Sequence, residues 1–306
     1  MDIGIIGLGK MGASISRRLL AAGHKVVVYD TAADAIAPLI NDGATGASSI
    51  FDLCSQLAPP RSVWVMVPAG EPTESALNYL TKCLSAGDTI IDGGNSYYKD
   101  SVQRAKVLAS RGISLLDAGT SGGVWGLKEG FCLMVGGHEA AFKAVEPIFK
   151  ALAPSPDEGY AHVGPSGAGH FTKMVHNGIE YGLMQAYAEG FDLLQAKGEF
   201  DLDLAQIAEL WRHGSVVRSW LLDLAASALD ENPSLDGIGS WVEDSGEGRW
   251  TVAEAVELGV PLPVITLALQ TRFRSRQEQP FSGKLLAALR QKFGGHGVKT
   301  LPTGEK

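Results

Sequence analysis

A base, an imidazole, an amide, an acid and a phenol recur within one predicted helix, as Lys173, His176, Asn177, Glu180 and Tyr181. Successive helical residues are rotated by roughly 100°, so this spacing places all five on one face. Such a face would form a wall of a polar pocket in which protons are transferred. A solvated face carrying a Lys/Glu pair explains the same pattern, although Asn and His are mediocre helix formers. The stretch alone leaves both readings open.

Composition limits the classes of function. The chain has 306 residues, 45% hydrophobic and 20% charged, which is typical of a soluble globular protein long enough for two domains. A net charge of -8 argues against a general nucleic-acid binder, because no broad basic surface is available to neutralise phosphates. The three cysteines are scattered and form no disulfide framework or metal-binding pair. With no leader and no long apolar run, the sequence predicts a cytoplasmic, metal-independent protein without a membrane span.

A glycine motif stands between a predicted strand and a predicted helix. An apolar run at residues 3–6 leads directly into it, and a second apolar run at 26–29 ends at Asp30. In this βαβ context the motif predicts a dinucleotide-binding site, whose helix N-terminus receives the pyrophosphate. A glycine-rich turn without a ligand is the competing explanation. The predicted cofactor-binding residues of the motif are Gly7, Leu8, Gly9, Lys10, Met11 and Gly12.

Asp30 determines which cofactor is predicted. A carboxylate at the end of the second strand accepts hydrogen bonds from the ribose hydroxyls of NAD and repels the 2′-phosphate of NADP. The next residues, 31–34, contain no cation that could bind that phosphate. The sequence therefore predicts NAD in preference to NADP, and the alternative is that Asp30 only caps the following helix.

Further predicted strands end in small or polar residues. Strands at 62–67, 89–92 and 113–117 are followed by turns that carry glycine. Ligands of doubly wound sheets bind at the carboxyl ends of the strands, so these turns are predicted to line the cofactor and substrate site, although turn chemistry alone explains each one. The residues concerned are Val67, Pro68, Ala69, Asn95, Ser121, Gly122 and Gly123.

The second half of the chain has a helical pattern throughout. Helices are predicted at residues 171–196, 203–213, 219–229, 251–258 and 263–276, and a poorly ordered tail follows residues 289–296. The first helix is longer than one small domain needs, which often indicates a helix shared between domains or subunits. We therefore predict an α/β protein: a Rossmann-type doubly wound parallel sheet at 1–163, then an all-α substrate and dimerisation domain at 164–306 that begins with this long helix.

Three segments carry a resemblance to a known family. Residues 91–96, 121–126 and 173–181 resemble 6-phosphogluconate dehydrogenases, within the wider β-hydroxyacid dehydrogenase superfamily. The resemblance covers essentially the whole chain, as a short form that lacks much of the usual second helical repeat. Residues 173–181 separate it from 3-hydroxyisobutyrate relatives, which keep the lysine but lack the Glu-Tyr pair. The implied reaction is oxidative decarboxylation of 6-phospho-D-gluconate to D-ribulose 5-phosphate and CO2.

The resemblance also implies roles for individual residues. Lys173 would be the general base and Glu180 the general acid. The sugar-acid hydroxyls and carboxylate would be bound by Asn95, Ser121, Gly122, Gly123, His176 and Asn177.

The phosphate site departs from the family pattern. Tyr181 matches the family's phosphate contact, but Ser245 and Glu247 stand where the family has lysine and threonine. Glu247 would repel phosphate, so Arg249 or Arg272 would have to take over. A C-terminal tail with Arg290 and His296 is similar to one that reaches the neighbouring subunit's site, which implies a homodimer or homotetramer.

The implied mechanism assigns a proton to each group. Neutral Lys173 takes the C3 hydroxyl proton as C3 gives hydride to the nicotinamide, the 3-keto acid loses CO2, and Glu180 protonates C1. Two alternatives stay open: a related dehydrogenase that acts on an unphosphorylated hydroxy acid, and a nucleotide-sensing protein without turnover.

Overall fold

The chain forms two compact units. The computed structural model describes residues 1–299; the last seven residues of the predicted 164–306 domain lie outside this part. The units are Met1–Gly178 and Ile179–Lys306. The predicted domain boundary between residues 163 and 164 falls at the end of the last strand, before the long helix, and it stays a prediction.

The first unit is built on one eight-stranded sheet. The strand order is β3-β2-β1-β4-β5-β6-β7-β8, and the paired strands are parallel except for β6 and β7. This confirms the Rossmann-type doubly wound sheet, but β7 does not follow the predicted parallel direction. Only ten residues connect β6 to β7 (122–131), too few for the crossover that a parallel pair requires. The strands are β1 Asp2–Ile6, β2 Lys25–Tyr29, β3 Thr45–Gly46, β4 Ser62–Val65, β5 Thr89–Asp92, β6 Ser114–Ser121, β7 Cys132–Gly136 and β8 Tyr160–Gly164.

Helices cover both faces of this sheet. Ile90 and Ile91 are neighbours on β5, yet they belong to two separate buried clusters, as alternation along a strand between two covered faces requires. Trp64, in the first cluster, packs edge-on against Phe149. The helices are α1 Lys10–Ala21, α2 Ala33–Asn41, α3 Ile50–Ser55, α4 Glu71–Cys83, α5 Tyr98–Ala109, α6 Gly126–Glu129, α7 Glu139–Leu152 and the first part of α8 Ala168–Ala196.

The second unit is helical, as predicted. One small core contains Ala208, Leu222, Ala226 and Leu229, and another contains Tyr181, Ala268 and Leu269. One helix was not predicted: α13 runs through residues 281–294, beyond the last predicted helix at 263–276. After the remainder of α8, the helices are α9 Leu204–Trp211, α10 Trp220–Glu231, α11 Glu247–Leu258, α12 Pro263–Ser275 and α13 Phe281–Gly294.

The apolar surface of α13 is unusual. None of its residues is buried, although several are large and apolar. Phe281 and Phe293 are 76% and 95% exposed, and Leu286 is 63% exposed. Within residues 1–299, no helix is long and apolar enough to cross a membrane.

Candidate functional site

The loop between β1 and α1 has the geometry of a phosphate cradle. Gly7 has φ +91°, and a Cβ at Gly12 would lie 1.9 Å from the Gly7 carbonyl oxygen, so both positions need glycine. A Cβ at Gly9 would meet no atom within 4 Å, which leaves room in front of the N-terminus of α1. This open, glycine-lined helix N-terminus fits the pyrophosphate of a dinucleotide.

Asp30 closes the other side of this loop. Its Oδ2 accepts a hydrogen bond from the Leu8 N–H at 2.6 Å, and its Oδ1 accepts one from the Ala32 N–H at 2.8 Å. The carboxylate therefore lies beside the glycine loop, as predicted for a ribose-binding acid. These two backbone N–H groups fix its position.

The predicted strand-end residues meet at one edge of the sheet. Because β1, β4, β5 and β6 are parallel, the residues that follow them emerge at the same edge. The turn after β5 is organised by buried Asp92, which accepts hydrogen bonds from the Gly94 N–H, the Ser96 hydroxyl and Arg104. Asn95 is exposed at the tip of that turn. The other residues placed at this edge are Val67, Pro68, Ala69, Ser121, Gly122 and Gly123.

Three of the predicted side chains on α8 form one connected group. Lys173 and Asn177 are buried, each only 8% exposed. The Lys173 Nζ donates to Asn177 Oδ1 at 2.6 Å, and His176 Nδ1 lies 3.2 Å from the same oxygen. The lysine of a solvated helix face would be exposed to water. These residues of α8 therefore form a structured polar group and not a solvated face.

The first turns of α8 lie directly on strand backbone. A Cβ at Gly119 would come within 2.4 Å of the Lys173 Cβ, and one at Gly169 would come within 2.1 Å of the Asp117 carbonyl oxygen. Both glycines are therefore required for this approach. They bring Lys173 onto β6, two residues before the strand ends at Ser121.

The second unit carries its own polar cluster around Tyr181. The Tyr181 hydroxyl accepts a hydrogen bond from the Ser245 N–H at 3.1 Å, and its ring packs against Gly248. The Arg272 guanidinium carbon lies 3.6 Å from the centre of the Tyr181 ring. Glu247, expected to repel a phosphate, is buried. Tyr181, Ser245 and Arg272 are thus brought together.

Arg249 is engaged elsewhere. Its Nε and Nη2 donate to the two carboxylate oxygens of Asp244 at 2.8 and 3.0 Å. Arg276 forms an ion pair with the same carboxylate, with its Nη2 2.9 Å from Oδ2. The hydrogen bond from Arg249 lowers the pKa of the Asp244 carboxyl to about 2. Of the two arginines considered from the sequence, Arg272 is therefore the one that accompanies Tyr181.

The remaining predicted site residues are not gathered into either group by the described contacts. Glu180 is partly exposed on α8, in the second unit. Arg290 lies in α13 and His296 just after it, and both are exposed. Within residues 1–299, no cluster of three or more His, Cys, Asp or Glu residues could hold a metal ion. Metal independence stays a prediction.

Two important residues were not identified from the sequence. Asp117 was assigned only as a strand end, and His170, just before the predicted helix at 171–196, was given no role. Asp117 is buried and accepts hydrogen bonds from the Gly167 and His170 N–H groups. A signal was present: α8 begins after Gly167, which has no side chain to cap the helix, so a cap from another segment could have been sought.

Family models cover both halves of the chain. One, described as the NAD binding domain of 6-phosphogluconate dehydrogenase, matches residues 2–164. Another, described as the C-terminal domain of 6-phosphogluconate dehydrogenase, matches residues 169–282 and 196–306.

Individual relatives agree with these models. The NAD(+)-dependent, decarboxylating 6-phosphogluconate dehydrogenase of Haloferax volcanii is 46% identical over 299 residues, which cover 97% of this chain and 98% of that protein. The enzyme of the same name from Bacillus subtilis (strain 168) is 38% identical over 287 residues, 90% of this chain but 61% of that protein. The 6-phosphogluconate dehydrogenase structure from Plasmodium falciparum matches with TM-score 0.83 and 28% identity, over 100% of this chain and 67% of that chain.

The Asp244 network predicts an acid-dependent stability. A carboxyl whose pKa is depressed on folding stabilises the protein above its unfolded pKa, and the contribution is lost as pH falls towards the folded pKa. For Asp244 this window runs from about 3.8 down to about 2. We expect Asp244→Asn to lower the free energy of unfolding by about 1–2 kcal/mol at pH 7, since Arg249 is half exposed and partly screened.

Urea denaturation at pH 7, 4 and 3 measures this effect. The gap between wild type and Asp244→Asn should narrow as pH falls. Exposed Asp230 in α10 provides the control, and Asp230→Asn should show little change. An equal difference in unfolding free energy at every pH would show that the charge of Asp244 is not the cause of the stabilisation.

Proposed function

The chain belongs to the 6-phosphogluconate dehydrogenase family, whose members are oxidoreductases, and from this premise we propose that it catalyses the NAD-dependent oxidative decarboxylation of 6-phospho-D-gluconate to D-ribulose 5-phosphate and CO2. The observation that supports this most is buried Lys173, hydrogen-bonded to Asn177 beside the strand ends of a dinucleotide-binding sheet. A buried lysine at this place is better suited to accept a proton than an exposed, solvated lysine would be.

NAD is the proposed cofactor, in preference to NADP. The glycine loop leaves room for a pyrophosphate, and Asp30 lies beside it as a ribose-binding carboxylate. The Haloferax volcanii and Bacillus subtilis relatives are named as NAD(+)-dependent. When bound, NAD would supply the hydride acceptor for C3 of the substrate.

Lys173 is the proposed general base. In its neutral form it takes the proton of the C3 hydroxyl, and the resulting ammonium then stabilises the oxyanion that develops on C3 as CO2 leaves. Asn177 holds the amine through a hydrogen bond of 2.6 Å, which limits its rotamers. Asn95, Ser121, Gly122, Gly123 and His176 are the proposed partners of the sugar-acid hydroxyls and carboxylate.

Glu180 is the proposed general acid that protonates C1. It follows Lys173 by seven residues in the continuous helix α8, a spacing that returns to the same helix face. The phosphate is proposed to bind at Tyr181, Ser245 and Arg272, because the guanidinium supplies positive charge and the two hydroxyls supply hydrogen bonds.

A homodimer or homotetramer is also proposed. The exposed apolar residues of α13 are what an interface between copies would cover. The tail residues Arg290 and His296 would then reach the site of the neighbouring copy.

Replacement of Lys173 tests the mechanism. We expect Lys173→Met to lower kcat by several orders of magnitude with 6-phosphogluconate and NAD, while NAD affinity stays within about twofold, because the glycine loop is untouched. NADH absorbance measures turnover and isothermal titration measures binding. Exposed Lys143 on α7 gives the matched control Lys143→Met, which should keep normal turnover.

The same assay decides between the candidate substrates. Comparing kcat/KM for 6-phosphogluconate and gluconate should favour the phosphorylated acid. Preference for gluconate would support the related dehydrogenase, and no NADH with either acid would contradict the proposed activity.

Replacement of Asp30 tests the cofactor choice. Asp30→Ser combined with Thr31→Arg removes the repelling carboxylate and adds a cation for the 2′-phosphate. We expect the ratio of kcat/KM for NADP over NAD to rise at least about 100-fold, or ~2.7 kcal/mol. Asp157→Ser, at an exposed position between α7 and β8, is the control. An unchanged ratio would leave Asp30 as a helix cap only.

Replacement of Phe293 tests the oligomer. Placing a charge on the apolar surface of α13 with Phe293→Asp should weaken association at least about tenfold, measured by analytical ultracentrifugation. Phe51→Asp, on the exposed side of α3, makes the same exchange in the first unit and should not alter the mass. A monomeric wild-type protein would contradict the proposal directly.

A further inference from the structure

A single carboxylate caps the N-terminus of α8 from a neighbouring strand. Asp117, on β6, is 1% exposed. Its Oδ1 accepts a hydrogen bond from the Gly167 N–H at 2.7 Å and its Oδ2 accepts one from the His170 N–H at 2.9 Å. The chain distance to these donors is 50 and 53 residues, so this cap forms only in the folded sheet.

The two donors are those that a local capping box would satisfy. The Gly167 carbonyl accepts the first helical hydrogen bond, from the Phe171 N–H, so Gly167 is the N-cap and His170 is the third helical residue. In a capping box, one side chain serves the third N–H and another serves the N-cap N–H. Gly167 has no side chain for the first role, and the Nδ1 of His170 lies at the Ser101 hydroxyl, whereas Asp117 serves both N–H groups.

The capped turn is the one that leads to Lys173. Asp117 and Gly119 are two residues apart on β6, so they face the same side of the sheet, roughly 6–7 Å apart. The Lys173 Cβ lies against Gly119. The Asp117 carboxylate therefore anchors the helix start, and it lies on the same side of β6 as the contact between Gly119 and the Lys173 Cβ.

We infer that Asp117 is a positioning residue for Lys173: it fixes the first turn of α8 on β6, and its negative charge favours the protonated amine. The inference depends on the proposed role of Lys173 as the base. In this inference a residue of the sheet, and not one of the helix, controls where the Lys173 amine lies and how readily the amine gives up its proton.

Other titratable groups surround the pair. His170 and His176 lie on α8 itself, and Cys132 lies on β7. His170 is buried, with its Nδ1 2.7 Å from the Ser101 hydroxyl of α5. Burial raises the pKa of the Asp117 carboxyl, while His170 and the two N–H donors act in the opposite direction. Burial likewise raises the pKa of the Cys132 thiol, against an effect of Lys173.

Asp117→Asn distinguishes a positioning role, which combines anchoring of the helix start with a charge effect on the amine, from a contribution to folding stability alone. The amide keeps one acceptor oxygen but loses the charge and one of the two hydrogen bonds. We expect kcat to fall about tenfold, and the acidic limb of the kcat/KM profile to move to lower pH by about 0.5–1 unit, because the protonated amine loses a favourable charge. NAD affinity should stay within about twofold, because β4 and β5 lie between β6 and the glycine-loop strand.

Asp88 provides a matched control in the same unit. It is also 1% exposed and accepts hydrogen bonds from two N–H groups, those of Arg61 and Ser85. Asp88→Asn should lower the melting temperature without moving the pH limb. Asp117→Ser, which keeps a short acceptor without charge, serves as the second variant if Asp117→Asn does not fold.

The outcomes are distinguishable. The inference is supported if Lys173→Met is inactive and an Asp117 variant shifts the acidic limb of the kcat/KM profile, while Asp88→Asn leaves that limb in place. If Lys173→Met is inactive but a folded Asp117 variant keeps the wild-type limb, Asp117 is only structural and the inference is overturned alone. If Lys173→Met retains turnover, the proposed base is wrong and the inference falls with it.

Discussion

The contact of α8 with bare strand backbone is the constraint on which the first unit depends. Gly119 and Gly136 on the strands and Gly169 on the helix have no room for a Cβ: at Gly136 one would lie 2.6 Å from the Asp117 carboxylate and from the Gly169 nitrogen. Only glycine permits a helix and a strand pair to approach this closely. The approach buries the helix start, and a buried start requires acceptors for its N–H groups. Asp117 meets that requirement. The close packing of the helix and the hydrogen bonding of its first N–H groups therefore depend on each other.

This coupling explains how a lysine is tolerated inside the unit. A buried ammonium is costly unless it is paired or hydrogen-bonded. Lys173 donates to Asn177 one helical turn further on, and His176 lies beside the same amide oxygen. An amide supplies an acceptor without a full negative charge, so it does not bind the ammonium as strongly as a carboxylate would.

The sequence predicted the features that depend on local spacing. The glycine loop and Asp30 belong to one βαβ unit, and the Lys173 face follows from helical periodicity. The features that were missed depend on distant partners. Asp117 meets Gly167 only across the sheet, and the antiparallel pairing of β7 with β6 is likewise a contact between separate segments. Helix α13 was not among the predicted helices. Its apolar residues lack a buried partner within the described chain, so local pattern gave little guidance there.

The second unit shows why side-chain roles in a loop are hardest to predict. Arg249 and Arg272 were equivalent candidates by charge alone, and only tertiary contacts separate them. Asp244 holds both Arg249 and Arg276, so the charges of those two guanidinium groups are already compensated in part. Arg272 instead lies over the Tyr181 ring and donates to the Glu243 carbonyl, a neutral acceptor. Stacking leaves the edge of a guanidinium accessible to in-plane acceptors. Its positive charge can then act on an anion near the tyrosine hydroxyl, and the charge of Arg249 is directed to the protein's own loop.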